Sequence, residues 1–246
     1  MTHNLSDVLE RNSSAGDLNF EEGVVLLIDK PLDWTSFDVV HRVRQELRIK
    51  KVGHSGTLDP RASGLLILCT GKKTKQIETF AADDKEYVAS MELGSVSDSF
   101  DSETPVTVSG NASGITAEMI GGVFVSMMGS QLQVPPMYSA LKYGGQPLYK
   151  YARKGKTVVR EPREIVIREC ELLDFTPPLA TFRMVCSKGT YVRSFVDECG
   201  QKLGCGAYLK ELRRTRVGAF RVEQALTVEE LCNRIGALRV ARRDAQ

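Results

Sequence analysis

The tetrad Leu65-Leu66-Ile67-Leu68, with Gly64 before it and Gly71 shortly after, offers solvent no polar position on either side. A short apolar run bounded by glycines reads as a buried strand, so whatever adjoins it is anchored to the core. Directly upstream runs Gly53-His54-Ser55-Gly56-Thr57-Leu58-Asp59-Pro60-Arg61-Ala62-Ser63-Gly64, where one acidic side chain stands among glycines, hydroxyls and a proline. Gly53, Gly56 and Gly64 permit backbone angles and close approaches closed to other residues, and Pro60 pushes Asp59 toward an extended conformation. Asp59 is therefore the first candidate for chemistry. Taken alone, the segment reads as a surface turn, because these are the residues turns prefer.

The rest of the chain mixes both periodicities. Thr35-Ser36-Phe37-Asp38 is a capping-box variant opening a helix through about Leu47, with His41 on its surface. From Tyr87, apolar Ala89, Met91 and Leu93 alternate with polar neighbours, the period of a half-buried strand that turns Tyr87 to the apolar side. Gly94 to Gly114 reads as a loop. Residues 117 to 128 form an amphipathic helix whose methionines belong to the core, and residues 164 to 175 and 180 to 188 alternate as paired strands. The clearest helix runs from Thr190 to Leu203, stopped by Gly204, with Tyr191 and Arg193 at its first turn; Asp197 lies four residues on from Arg193, a spacing that allows an ion pair within the helix. Thr227-Val228-Glu229-Glu230 caps a short helix ahead of a basic tail. Without a strict strand-helix-strand repeat or a glycine-rich nucleotide fingerprint, the class is mixed α/β of the α+β type, with a largely antiparallel central sheet flanked by helices.

The first nineteen residues are polar and read as a mobile tail without a signal peptide, and no stretch is long and apolar enough to span a membrane. Six scattered cysteines without a Cys-x-x-Cys pair argue against zinc and against a disulfide framework, and fit reduced thiols in a cytoplasm. Three histidines in separate contexts give no metal site. The net charge of +2 says little, but its distribution says more. Between Glu118 and Glu161 there is no acidic residue, while Lys142, Lys150, Arg153, Lys154, Lys156 and Arg160 fall there with Tyr138, Tyr143, Tyr149 and Tyr151. Cations that neutralise phosphate, interleaved with rings that stack on unpaired bases, suit structured RNA. A second cluster, Lys210, Arg213, Arg214 and Arg216, extends the same footprint.

Several collinear stretches resemble one family. The Asp59 loop looks like the catalytic motif of TruB-type tRNA pseudouridine-55 synthases. Gly23-Val24-Val25-Leu26-Leu27-Ile28-Asp29-Lys30-Pro31 is similar to their opening strand, and Lys85-Glu86-Tyr87 to the motif carrying an active-site tyrosine. Val134-Pro135-Pro136-Met137-Tyr138-Ser139-Ala140-Leu141-Lys142, Ser187-Lys188-Gly189-Thr190-Tyr191-Val192-Arg193, and Leu203-Gly204-Cys205-Gly206-Ala207 with Leu212-Arg213-Arg214 complete the match, roughly over residues 20 to 225.

The resemblance implies a pseudouridine synthase fold over residues 20–226, with an RNA-gripping insertion at about 130–160. A mobile tail over 1–19 precedes it; a short helix and basic tail over 227–246 follow, with no separate C-terminal RNA-binding domain. It implies isomerisation of uridine 55 in the T loop of tRNA, without cofactor or metal, by a monomer that needs no protein partner. Asp59 would be the nucleophile or base and Arg193 its neighbour in the folded chain. Tyr87 would stack on the uracil and relay a proton, Tyr191 and Leu212 would line the pocket, and His54 would fill the space the everted base leaves. Lys75 would contact phosphate, and Asp101 corresponds to a family aspartate near the substrate. The alternatives are a catalytically idle tRNA-binding or folding-assistant protein, and a synthase acting on ribosomal RNA or under a guide RNA. A glycosidase-like hydrolase is disfavoured because only one carboxylate stands out.

Overall fold

The computed structural model describes residues 7–13 and 18–244, with side chains through residue 240. Its contacts divide the chain into two compact units, Met1–Glu86 with Arg213–Gln246, and Tyr87–Leu212.

The first unit starts with β1 (Val8–Leu9), β2 (Val25–Lys30), α1 (Ser36–Leu47), β3 (Val52–Ser55), β4 (Ala62–Thr70), a 3-10 turn over Gly71–Gln76, and α2 (Ile77–Ala82). The centre is β4, paired antiparallel with β2 from Val25↔Cys69 to Lys30↔Gly64 and with β3 from Val52↔Thr70 to Ser55↔Ile67. Leu65 to Leu68 are fully buried, as their sequence requires. Leu66 and Leu68 join a cluster with Val39, Val43 and Leu231, while Leu65 and Ile67 join another with Phe80 and Phe220. Each such side chain contributes about 1.5–3 kcal/mol of burial. Helix α1 has the expected capping box, with Thr35 and Asp38 bonded reciprocally, and His41 is exposed.

The expected N-terminal tail requires correction where it is described. Val8 and Leu9 pair in parallel with Val25 and Leu26, Leu9 is fully buried, and Arg234 binds the carbonyls of Glu10, Arg11 and Ser13 at 3.0, 2.7 and 2.8 Å. Strand pairing, the buried Leu9 and the Arg234 bonds together hold this segment in place. Residues 1–6 and 14–17 lie outside the described residues.

The chain enters the second unit within β5 (Lys85–Leu93), whose burial alternates at every position. There follow a ribbon of β6 (Ser95–Val96) with β7 (Thr107–Val108), then α3 (Ala117–Ser126), β8 (Gly129–Gln133) and a hairpin of β9 (Lys142–Tyr143) with β10 (Gln146–Pro147). After α4 (Leu148–Ala152) come β11 (Arg163–Thr176), β12 (Leu179–Cys186), α5 (Val192–Lys202) and β13 (Ala207–Val217). The strand order here is β13-β5-β12-β11-β8, with β11 antiparallel to both neighbours. Phe124 of α3, Phe182 of β12 and Phe195 of α5 pack with ring centroids 5.4–5.9 Å apart, joining both helices to the sheet. The stretch from Gly94 to Gly114 is thus a short ribbon rather than a loop throughout. Of the helical methionines only Met127 is core; Met119 and Met128 are each 45% exposed.

The later part of β13 returns to the first unit, followed by β14 (Phe220–Arg221), β15 (Leu226–Thr227) and α6 (Val228–Asp244). Thr227 and Glu230 form the expected capping box, but α6 spans 17 residues instead of ending early, because Leu231 and Ile235 continue its buried face against α1.

Candidate active site

In the first unit, Asp59 sits half-buried in the connection from β3 to β4, whose backbone is braced at several points. Ser36, the first residue of α1, donates its hydroxyl to Leu58 O at 3.1 Å and accepts from Leu58 N at 2.9 Å. Ala62 N donates to Asp59 O at 3.0 Å, and Asp33 N to Pro60 O at 2.8 Å. The guanidinium of Arg214, 1% exposed, donates to Leu65 O at 2.7 Å and to Gly56 O at 3.1 Å, bridging the start of the loop to β4. Gly64 has φ +103°, and a Cβ there would lie 2.3 Å from the Arg214 carbonyl oxygen, so only glycine admits this approach of β13.

The electrostatics centre on Lys30. It is fully buried at the end of β2, donating to Pro31 O at 2.8 Å and Trp34 O at 2.6 Å. Burial pushes its pKa down to about 8, and the Asp59 carboxylate is the leading charge that opposes the shift. His54 on β3 is half-buried; burial, and after it the charge of Arg214, holds its pKa below the ordinary histidine value, so the ring is neutral at pH 7. Lys75 is exposed on the 3-10 turn and makes no ion pair among the described residues, whereas Lys72 pairs with Glu22 at 2.6 Å and Lys73 with Asp7 at 3.0 Å.

In the second unit, Arg193 on the first turn of α5 is 2% exposed. Its Nε lies 3.4 Å from the Asp101 carboxylate, itself 4% exposed, and its Nη atoms donate to Ser99 O at 3.0 Å and Tyr138 O at 2.7 Å. Asp101 also accepts from Ser99 Oγ at 2.6 Å and Glu103 N at 2.9 Å. The helical pairing of Arg193 with Asp197 is not the arrangement found: Asp197 accepts from Gln201 at 2.7 Å, and burial raises its pKa. Opposite charges attract more strongly in the low-dielectric interior than at a partly solvated position. Tyr87 is 8% exposed on β5, Tyr191 is half-buried at the N-cap of α5, and Leu212 is half-buried on β13.

The basic stretch runs through the β9–β10 hairpin and α4 and on into the segment that follows α4. Lys142, Lys150, Arg153, Lys154 and Lys156 are exposed and Arg160 partly so. Tyr143 and Tyr151 meet edge to face at 5.9 Å, and Arg153 lies 5.3 Å over the Tyr149 ring while pairing with Glu103 at 2.8 Å. The second cluster is not a comparable footprint. Lys210 pairs with Glu92 at 2.8 Å, Arg213 bridges both oxygens of Asp29 at 3.0 and 2.7 Å, Arg216 pairs with Glu86 at 3.5 Å, and Arg214 is buried. These cations answer internal carboxylates and carbonyls.

Sequence reasoning missed Ser36, Ser99 and Gln133 and misread Arg214. For Gln133 the sequence carries no signal: that apolar Leu132 of β8 is 71% exposed while polar Gln133 is buried is visible only in the structure.

Known proteins supply what geometry alone does not. The family model described as TruB family pseudouridylate synthase, N-terminal domain, matches residues 44–192, more than half of the chain. The chain belongs to the TruB family of pseudouridine synthases. The model described as the C-terminal domain of tRNA pseudouridylate synthase B follows over residues 193–241. The tRNA pseudouridine synthase B of Chlorobium luteolum is 50% identical over 220 residues, covering 87% of this chain and 76% of that protein. That of Opitutus terrae is 48% identical over 207 residues, covering 84% and 86%. Among solved structures, a Cbf5-Nop10-Gar1 complex matches with TM-score 0.69 at 31% identity, covering 87% of this chain. An H/ACA ribonucleoprotein bound to a substrate RNA containing 2′-deoxyuridine matches with TM-score 0.65 at 28% identity, again over 87%. The chain spans about half the length of those two solved chains, 54% and 53% respectively. The family's enzymes are RNA isomerases, and the mixed sheet flanked by helices is their fold.

Proposed function

We propose that this TruB-family chain converts uridine 55 in the T loop of tRNA to pseudouridine. The observation that carries this reading is Asp59, a carboxylate on a loop braced by Ser36 and Arg214 with the Lys30 ammonium in its field, within a chain about half identical to enzymes named for tRNA. The C1′–N1 bond breaks, the uracil turns, C1′ joins C5, the C5 proton leaves and N1 gains one. Atoms and electrons balance without an added reagent. Asp59 acts as the nucleophile or base at the sugar. Tyr87 stacks on the detached uracil and relays the C5 proton, and Arg193 supplies the orienting cation. Tyr191 and Leu212 exclude water from the intermediate. The target must leave the stacked loop, and His54, neutral and half-buried, occupies the place it vacates.

The T arm is held by the basic hairpin with α4 and by Lys75. Greater similarity to enzymes named for tRNA than to the matched chain of the H/ACA ribonucleoprotein supports a stand-alone monomer. Six free cysteines support a reducing cytoplasm. Tritium release from C5-labelled uridine in a tRNA transcript, with the product position mapped, is the test. Release by the wild-type chain and none by Asp59→Asn is expected. Tight tRNA binding without release by the wild type would leave a non-catalytic binding protein; product in ribosomal RNA with untouched T loops would overturn the substrate.

A further inference from the structure

Helix α5 has Tyr191 as its N-cap and no side chain of its own capping the first turn. The Tyr191 N–H is then one of the donors a helix start leaves without an intrahelical partner. Gln133, the last residue of β8 and 7% exposed, supplies what is missing: its Oε1 accepts from Tyr191 N at 2.8 Å, and its Nε2 donates to Tyr191 O at 3.1 Å. The same carbonyl accepts the Phe195 N–H at 3.1 Å, the first rung of the helix. Two further bonds tie the segment after Gln133 to this turn, Ser194 Oγ to Val134 O at 3.3 Å and Arg193 Nη2 to Tyr138 O at 2.7 Å. An apolar residue would fill the buried position but satisfy neither peptide group.

We propose that Gln133 is a positioning residue: by gripping the Tyr191 peptide through both of its polar atoms it fixes the turn that carries Tyr191 and Arg193, and ties that turn to the RNA-gripping insertion. This rests on the roles given above to those two side chains. A misplacement of about 1 Å at reacting groups costs on the order of 100-fold in rate. Gln133→Met keeps length and volume but drops both bonds; Gln133→Glu keeps the acceptor and drops the donor.

With saturating tRNA, the single-turnover rate should fall about 30- to 100-fold in Gln133→Met and less in Gln133→Glu, while tRNA affinity stays within about threefold. A fluorine resonance from 3-fluorotyrosine at position 191 should be a single line in the wild-type background, shifted and broadened in Gln133→Met. A folded Gln133→Met protein with wild-type rate overturns the proposal, as does a rate loss with an unchanged resonance or one that only tracks the unfolded fraction. Should Gln133→Met not fold, Gln133→Glu carries the same comparisons. If the wild-type chain makes no pseudouridine, the proposed function falls, and the fluorine line still decides the clamp.

Discussion

Asp59, as the proposed nucleophile or base, and Gly64, through its backbone, are two single residues whose replacement is informative. Replacing Asp59 by Asn preserves shape and removes the charge, so turnover should drop by at least about 1,000-fold while tRNA binding persists, measured by single-turnover tritium release beside filter binding. Loss of binding in step with rate would instead make Asp59 an RNA contact. Gly64→Ala acts through the backbone: φ +103° and a Cβ 2.3 Å from a carbonyl oxygen of β13 leave it no accommodation. The cost should be about 3 kcal/mol or more, read as a lower urea midpoint, and an unchanged midpoint would mean that β13 yields there. The loop's backbone was legible in its residue types, because glycine and proline have local meanings, whereas its link to chemistry came only through the family resemblance. Arg214 was not legible, since a guanidinium in a basic cluster looks the same in sequence whether it faces RNA or two buried carbonyls.

At the level of elements, strands and helices with regular burial were legible: β5 alternates at every position, and α1 carries its capping box. What escaped were elements set by distant partners. The pair Val8–Leu9 is too short for any period to reveal, and its strand character comes from β2. The hairpin of β9 and β10 with α4 is the element whose charge pattern spoke in advance, and its lysines remain exposed. If Lys150 and Lys154 each neutralise a phosphate, replacing both by Gln should reduce the slope of log affinity for tRNA against log salt by about 1.5, since each contact contributes about 0.7–0.9. An unchanged slope would move the T-arm footprint off this element. Catalysis at saturating tRNA should be little altered, which separates gripping from chemistry.

Across the whole molecule, the joining of both chain ends in one unit was invisible in sequence, because it depends on Leu226 pairing in parallel with Ile28 and on α6 covering the face of α1. No periodicity encodes a partner some two hundred residues away. That arrangement also encloses the end of β2, where Lys30 is buried, and so bears on the stability of the fold. In the folded chain Lys30 titrates at about 8, against 10.5 unfolded. Below pH 8 both states hold the proton and the slope is zero. Between 8 and 10.5 the unfolded chain binds more protons, so stability rises with pH, by up to about 3 kcal/mol for a shift of this size. Lys30→Met lacks that rise. Its difference from wild type in unfolding free energy should therefore change by that amount between pH 7.5 and 10.5, on top of a constant offset from the lost bonds to Pro31 O and Trp34 O. Urea titrations of both proteins across that window measure it. Parallel stability curves would mean that Lys30 keeps an ordinary pKa, and that the positive charge near Asp59 persists well into the alkaline range.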